Sequence, residues 1–136
     1  MHELYLRLRK SPSAEFPLKA QFFAYAGRAL RSIMVDHARS RIAERARIQE
    51  VAILDAIEIH PEALSPTQAL ALDAALRLLE ADDARAASVV ELRFFAGLSL
   101  AEIAEQMQLT TRTIDRDWRF ARAFLQTALS ESAGQT

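Results

Sequence analysis

Seven side chains able to grip a polyanion fall close together near the end of this 136-residue chain: Thr110, Thr111, Arg112, Thr113, Asp115, Arg116 and Arg119. Guanidinium groups donate forked hydrogen bonds to phosphate oxygens or guanine edges, hydroxyls donate to phosphate, and a carboxylate accepts from a cytosine amino group. Arg112, Arg116 and Arg119 recur at helical spacing, so one helix face would carry all three. This is recognition chemistry rather than bond-breaking chemistry. The chain has no cysteine and only three histidines, at positions 2, 37 and 60, which argues against thiolate zinc sites and histidine cages. Asp36-His37 has the look of a metal-binding dipeptide, but no second histidine is in range. No glycine-rich phosphate loop, nucleophile elbow or carboxylate pair is present. The expectation is a protein without catalysis and without cofactors.

A net charge of −1, from 17 basic and 18 acidic residues, conceals a strong asymmetry. Arg28, Arg31, Arg39, Arg41, Arg45 and Arg47 stand against Asp36 and Glu44. A second basic stretch, Thr110 to Leu129, has Arg112, Arg116, Arg119 and Arg122 against Asp115 and Asp117. Between them, Glu58 to Glu105 carries nine acids against Arg77, Arg85 and Arg93. Two basic elements joined by an acidic middle suit a chain that meets polyanion at two places.

The elements that must position these residues are helices, since apolar residues recur at three- and four-residue spacing and only three glycines and four prolines interrupt them. His2 to Arg9 reads as a short amphipathic helix, and Ser11 to Pro17 as a loop. From Ala20 a helix of about seven turns is expected, with Phe22, Phe23, Ala26, Leu30, Ile33, Met34 and His37 filling one face and arginines on the other. Phe22 and Phe23 are assigned to the core, and Tyr25 is open between core and base stacking. Residues 58–65 read as a linker. Ser65 caps a helix with Pro66 at its first position, Asp82 stops and restarts the chain, and Gly97 ends a helix running from about Asp83 to Phe95.

Next comes Ser99-Leu100-Ala101-Glu102, a capping box opening a short helix through Met107. Gln108-Leu109 makes a tight turn in which Gln108 takes positive φ at a cost of about 1 kcal/mol. Thr110 then caps a longer helix. Small Ala104 permits close approach, and Ile103, Leu109, Ile114 and Trp118 fall where the inner faces meet. This is the helix-turn-helix arrangement, spanning 99–129.

The run Val89-Val90-Glu91-Leu92-Arg93-Phe94-Phe95-Ala96-Gly97-Leu98-Ser99-Leu100-Ala101-Glu102-Ile103-Ala104, followed by Asp117-Trp118-Arg119-Phe120-Ala121-Arg122-Ala123, resembles region 4 of bacterial extracytoplasmic-function (ECF) sigma factors. His2-Glu3-Leu4-Tyr5-Leu6-Arg7-Leu8 resembles the polymerase-binding helix of region 2. Phe22-Phe23-Ala24-Tyr25-Ala26 through Ile33-Met34-Val35-Asp36-His37-Ala38-Arg39 resembles the helix that meets the −10 element. The resemblance implies an all-α chain with partial region 2 helices over 1–57, a linker over 58–65 and region 4 over 66–130. It further implies a promoter-directing transcription initiation factor. Core RNA polymerase would be held through Glu3, Leu4, Leu6 and Arg7, and promoter DNA through Arg39, Arg41 and the Thr110–Arg119 set, with an anti-sigma factor as a further partner. A truncated interaction protein or a stand-alone helix-turn-helix regulator is the alternative.

Region 2 in this family begins with further helices ahead of His2-Glu3, so the resemblance implies a start placed too late or a natural N-terminal truncation. In the second case the stripe Phe22, Ala26, Leu30, Ile33 and Met34 would lack its usual cover. It is then expected to pack against another copy, giving a homodimer, or to fold onto the second module. Asp115 stands where related sequences tend to be basic. The opening residues lack the basic and apolar stretches of a signal peptide, and no uncharged apolar run reaches membrane-spanning length. A cytoplasmic protein without membrane contact is expected.

Overall fold

The computed structural model describes residues 16–42 and 64–133, and among them every regular element is helical. The expected His2–Arg9 helix, with Glu3, Leu4, Leu6 and Arg7, lies outside the described residues, as do 58–63 of the linker. The elements are α1 (Phe16–Ile42), α2 (Pro66–Asp82), α3 (Ala84–Val90) with a π-helical continuation (Glu91–Phe95), α4 (Leu100–Met107) and α5 (Thr111–Ala133).

α1 begins at Phe16, ahead of the expected Ala20, and takes in Pro17 from what reads as a loop. Proline is at no disadvantage in a first turn, where its missing N–H would have no intrahelical partner. Ser65 opens α2 with a reciprocal cap: its hydroxyl accepts from the Gln68 amide at 3.1 Å and its own amide donates to Gln68 Oε1 at 2.8 Å. The break after α2 is made by Asp83 rather than Asp82. Asp83 leaves helical geometry, donates its amide to Leu79 O and accepts from the Ala86 amide at 3.0 Å, so one residue both ends α2 and starts α3. The π-helical stretch has no counterpart in the sequence pattern. Gly97, at φ 76°, turns the chain after it as expected, and the Leu98 amide donates to Leu92 O.

One core gathers Leu72, Leu76 and Leu79 of α2, Val89 and Val90 of α3, Phe94 and Phe95, Ile103 of α4, and Ile114, Trp118, Ala121 and Leu125 of α5. Phe23 of α1 joins it at 1% exposure, and α1 packs along α2 and the π-helical stretch. The folded-back arrangement is therefore the one α1 adopts, but the expected stripe is rotated. Ala26 is buried and Phe22 and Met34 are partly so, whereas Leu30 is 39% and Ile33 61% exposed. Gly27, Arg31, Val35 and Ala38 take the inward positions instead. Placing every arginine on the outer face fails at Arg31, because the surface it meets is acidic.

Candidate nucleic-acid interface

The helix-turn-helix is held by local chemistry at each joint. Ser99 accepts from the Glu102 amide at 3.1 Å while Glu102 Oε1 accepts from the Ser99 amide at 2.8 Å, closing the expected capping box. α4 ends where Gln108 enters the left-handed region at φ 56°. The Leu109 amide reaches Ala104 O at 3.0 Å and the Gln108 amide reaches Glu105 O at 3.3 Å, the paired bonds of a Schellman stop. Thr110 Oγ1 then accepts from the Thr113 amide at 3.1 Å and lies 3.0 Å from Thr113 Oγ1, starting α5.

Between the two helices, Ile103 and Ile114 are fully buried, Ala104 is buried, and Leu109 is partly so. Trp118 keeps 6% of its surface, with the Arg93 guanidinium 5.7 Å from its ring centroid. Inward packing of this kind orients the rest of α5 outward. Thr110, Thr111, Arg112, Arg116 and Arg119 are exposed; Thr113 and Asp115 are partly so. Among the described residues no carboxylate pairs with Arg112 or Arg116. Arg119 Nε stands 3.1 Å from Asp115 Oδ2, one turn back, so the acid on this face is tied to a neighbouring cation.

Asp117, the second acid of this helix, is turned away from that surface. It is 5% exposed and grips Arg85 of α3, with Nε at 2.6 Å from Oδ2 and Nη2 at 3.1 Å from Oδ1. The hydrogen bond and the charge of Asp117 hold the Arg85 guanidinium above its ordinary value. A bidentate pair thus fastens α5 to α3 and removes one negative charge from the outer face. The signal was present in the spacing: Asp117 lies three residues after Ile114 and four before Ala121, on the inward arc.

α1 offers the second basic surface. Arg28, Arg39 and Arg41 are exposed, as are Asp36 and His37. Tyr25 is 57% exposed, while Phe23 is buried and meets Phe22 edge-on at 5.5 Å between centroids. The open question about Tyr25 is resolved on the solvent side. No helix among the described residues is long and apolar enough to cross a membrane.

A family model described as ECF sigma factor matches residues 1–131. No curated protein and no solved structure matches the chain. Sigma factors act in transcription initiation as DNA-binding regulators without enzymatic activity, and their family implies core RNA polymerase and promoter DNA as partners. With all but the last few of its residues inside that match, and with an all-helical fold that ends in a capped helix-turn-helix, the chain belongs to the ECF sigma factor family.

Proposed function

We infer that this chain directs core RNA polymerase to its promoters in the cytoplasm, with residues 1–57 serving as region 2, 58–65 as the linker and 66–130 as region 4. α5 reads the upstream, −35-type element. Arg112, Arg116 and Arg119 reach base edges or phosphates, Thr110, Thr111 and Thr113 line the phosphate-facing first turn, and Asp115 orients Arg119 or accepts from a cytosine amino group. Arg39 and Arg41 face the −10 element, with exposed Tyr25 available to stack on an unpaired base. Glu3, Leu4, Leu6 and Arg7 are the polymerase contacts. The observation that carries this reading is the outward row Arg112, Arg116 and Arg119 on a capped helix whose second acid, Asp117, is sequestered by Arg85.

The test is binding of reconstituted holoenzyme to promoter DNA. Replacing Arg116 by alanine costs about 1–3 kcal/mol at matched sequence if the side chain reads a base, and gives a sequence-independent loss with a smaller salt slope if it meets phosphate. Unchanged affinity for all three single arginine variants overturns the assignment. Co-purification with core polymerase separates this reading from a stand-alone regulator or a capture surface for an anti-sigma factor. A homodimer through α1 would use the apolar side chains it leaves exposed, Leu18, Tyr25, Leu30 and Ile33, and sedimentation across a concentration series detects it.

A further inference from the structure

Of the three outward arginines of α5, Arg119 alone pairs with an acid among the described residues. Its Nε stands 3.1 Å from Asp115 Oδ2, with 79% of the arginine side chain and 39% of the aspartate exposed. Arg112 and Arg116, on the same face, have no carboxylate partner there. The fold treats Asp117 the other way, burying it to 5% exposure against Arg85. One aspartate is thus taken inward, while another, two residues earlier, is left on the recognition surface itself.

An acid in that place is a handicap for holding DNA by charge. Duplex DNA carries one negative charge per about 1.7 Å of its axis, and each phosphate contact adds affinity irrespective of sequence. Asp115 is repelled by that charge and occupies a cation that could otherwise meet it. What the pair can do is read a base pair. Contact at Nε leaves the end-on edge of Arg119, Nη1 and Nη2, as a fork of two donors, and Asp115 Oδ1 stands beside it as an acceptor. Across the major groove a guanine·cytosine pair shows N7 as acceptor, O6 as acceptor and N4 as donor, in that order. Donor, donor, acceptor is its complement. Adenine·thymine in either direction shows acceptor, donor, acceptor, and cytosine·guanine shows donor, acceptor, acceptor, so each sets donor against donor and acceptor against acceptor. Both residues lie in the N-terminal half of α5, the part of a recognition helix that meets base edges.

We propose that Asp115 and Arg119 act as one unit that reads a single guanine·cytosine pair of the upstream element, Asp115 fixing the Arg119 fork on the guanine and accepting from the amino group of the paired cytosine. The proposal rests on the functional reading above, in which α5 meets the base edges of that element. It makes Asp115 a specificity-determining residue: the acid lowers affinity for DNA at large and raises the penalty for a wrong pair. Arg112 and Arg116 keep their full charge for the remaining contacts.

The test is selection from a pool of randomised duplexes by the full chain reconstituted with core polymerase. Bound DNA is sequenced for the wild type, Asp115→Ala and Arg119→Lys, and the salt dependence of binding to an unselected duplex is measured for each. Alanine and lysine are both good helix formers, so α5 is kept. The wild type is expected to select a guanine·cytosine pair at one position of the upstream element. Both variants should relax the preference at that same position by about fivefold or more and leave the other positions as they were. Freed of its acid, Arg119 in Asp115→Ala should also reach phosphate, so that unselected DNA binds more tightly and the salt slope steepens by about 0.9. An Asp115→Ala profile equal to that of the wild type reduces the pair to helix support and overturns the proposal, while continued selection of an upstream element leaves the functional reading intact. Relaxation at different positions by the two variants, or at a pair other than guanine·cytosine, overturns the unit as well. Wild-type holoenzyme that selects no sequence overturns the functional reading and the unit with it.

Discussion

α5 and α1 are both long, basic and amphipathic, yet they sort their residues by different rules. α5 hides Ile114, Trp118, Ala121 and Leu125 and shows its arginines, as the apolar period alone dictates. α1 shows Tyr25, Ile33 and Leu18 and hides an arginine. α5 is started by the Ser99 box, the Gln108 turn and the Thr110 cap, lays its apolar arc on α2, α3 and α4, and adds one ion pair, Asp117 to Arg85. α1 meets a groove made by Asp73, Glu80 and Glu91, and that partner surface decides which of its faces turns inward. A helix whose packing surface is mainly apolar follows its own period; one that meets a buried acidic cluster turns to suit its host.

The sharpest way to break the comparison is at Trp118. Trp118→Ala removes the largest inward side chain of α5 and is expected to cost about 3–5 kcal/mol, unfolding the helix-turn-helix half as seen by thermal melting. A variant with wild-type stability would put the ring in a surface role. Asp117→Asn comes next. It strips the charge from the bidentate clamp on Arg85 and should lower the melting temperature modestly, because half of the Arg85 side chain is in solvent and screening weakens the pair. Equal melts would mean that α5 is held by apolar packing alone.

Ser99→Ala tests whether α4 depends on its local cap. A loss of about 1 kcal/mol is expected in denaturant titration, without change in the slope of the transition. The smallest effect concerns Glu91. Burial raises its carboxyl above the ordinary 4.5, even though Arg31 and Arg28 pull it down, and nearby Glu80 adds to the rise. Arg31 itself is raised: burial works against its charge, and the hydrogen bond and charge of Asp73, helped by Glu91 and Glu80, outweigh that. The short contact goes to Asp73 at 2.7 Å, so Glu91 is the weaker partner. A raised folded value means that the contribution of Glu91 is fully present below its unfolded value and is lost as pH rises through the folded one. Glu91→Gln should therefore melt at or slightly above wild type at neutral pH and show less decline from about pH 4 upward. A clear fall at neutral pH would make Glu91 an equal partner in the cluster.

Much of the second half was legible because its signals are local. Ser99 to Glu102, Gly97, Gln108 and Thr110 each satisfy or redirect backbone groups a few residues away, so a reader needs only the neighbouring sequence. Gln68, three residues after Ser65, carried the same kind of signal for α2 and could have been read. The π-helical stretch could not. Arg31 was misplaced by charge alone, although its spacing from Phe23 and Gly27 puts it on the inward arc, and the Arg85 partner of Asp117 lies too far back in the chain to be read locally.

By itself the sequence determined the all-helical class, the capped helix-turn-helix, the outward row Arg112, Arg116 and Arg119, and the resemblance that the family match bears out. Each of these depends on periodicity and on hydrogen bonds between near neighbours, whose energies are settled before distant parts of the chain meet. Only the tertiary structure decided the rotation of α1, the acidic partners that bury Arg31, the clamp of Asp117 on Arg85 and the exposure of Tyr25. A charged side chain is buried only where a partner compensates its desolvation, and for Arg31 those partners are Asp73, Glu80 and Glu91, more than forty residues further along the chain.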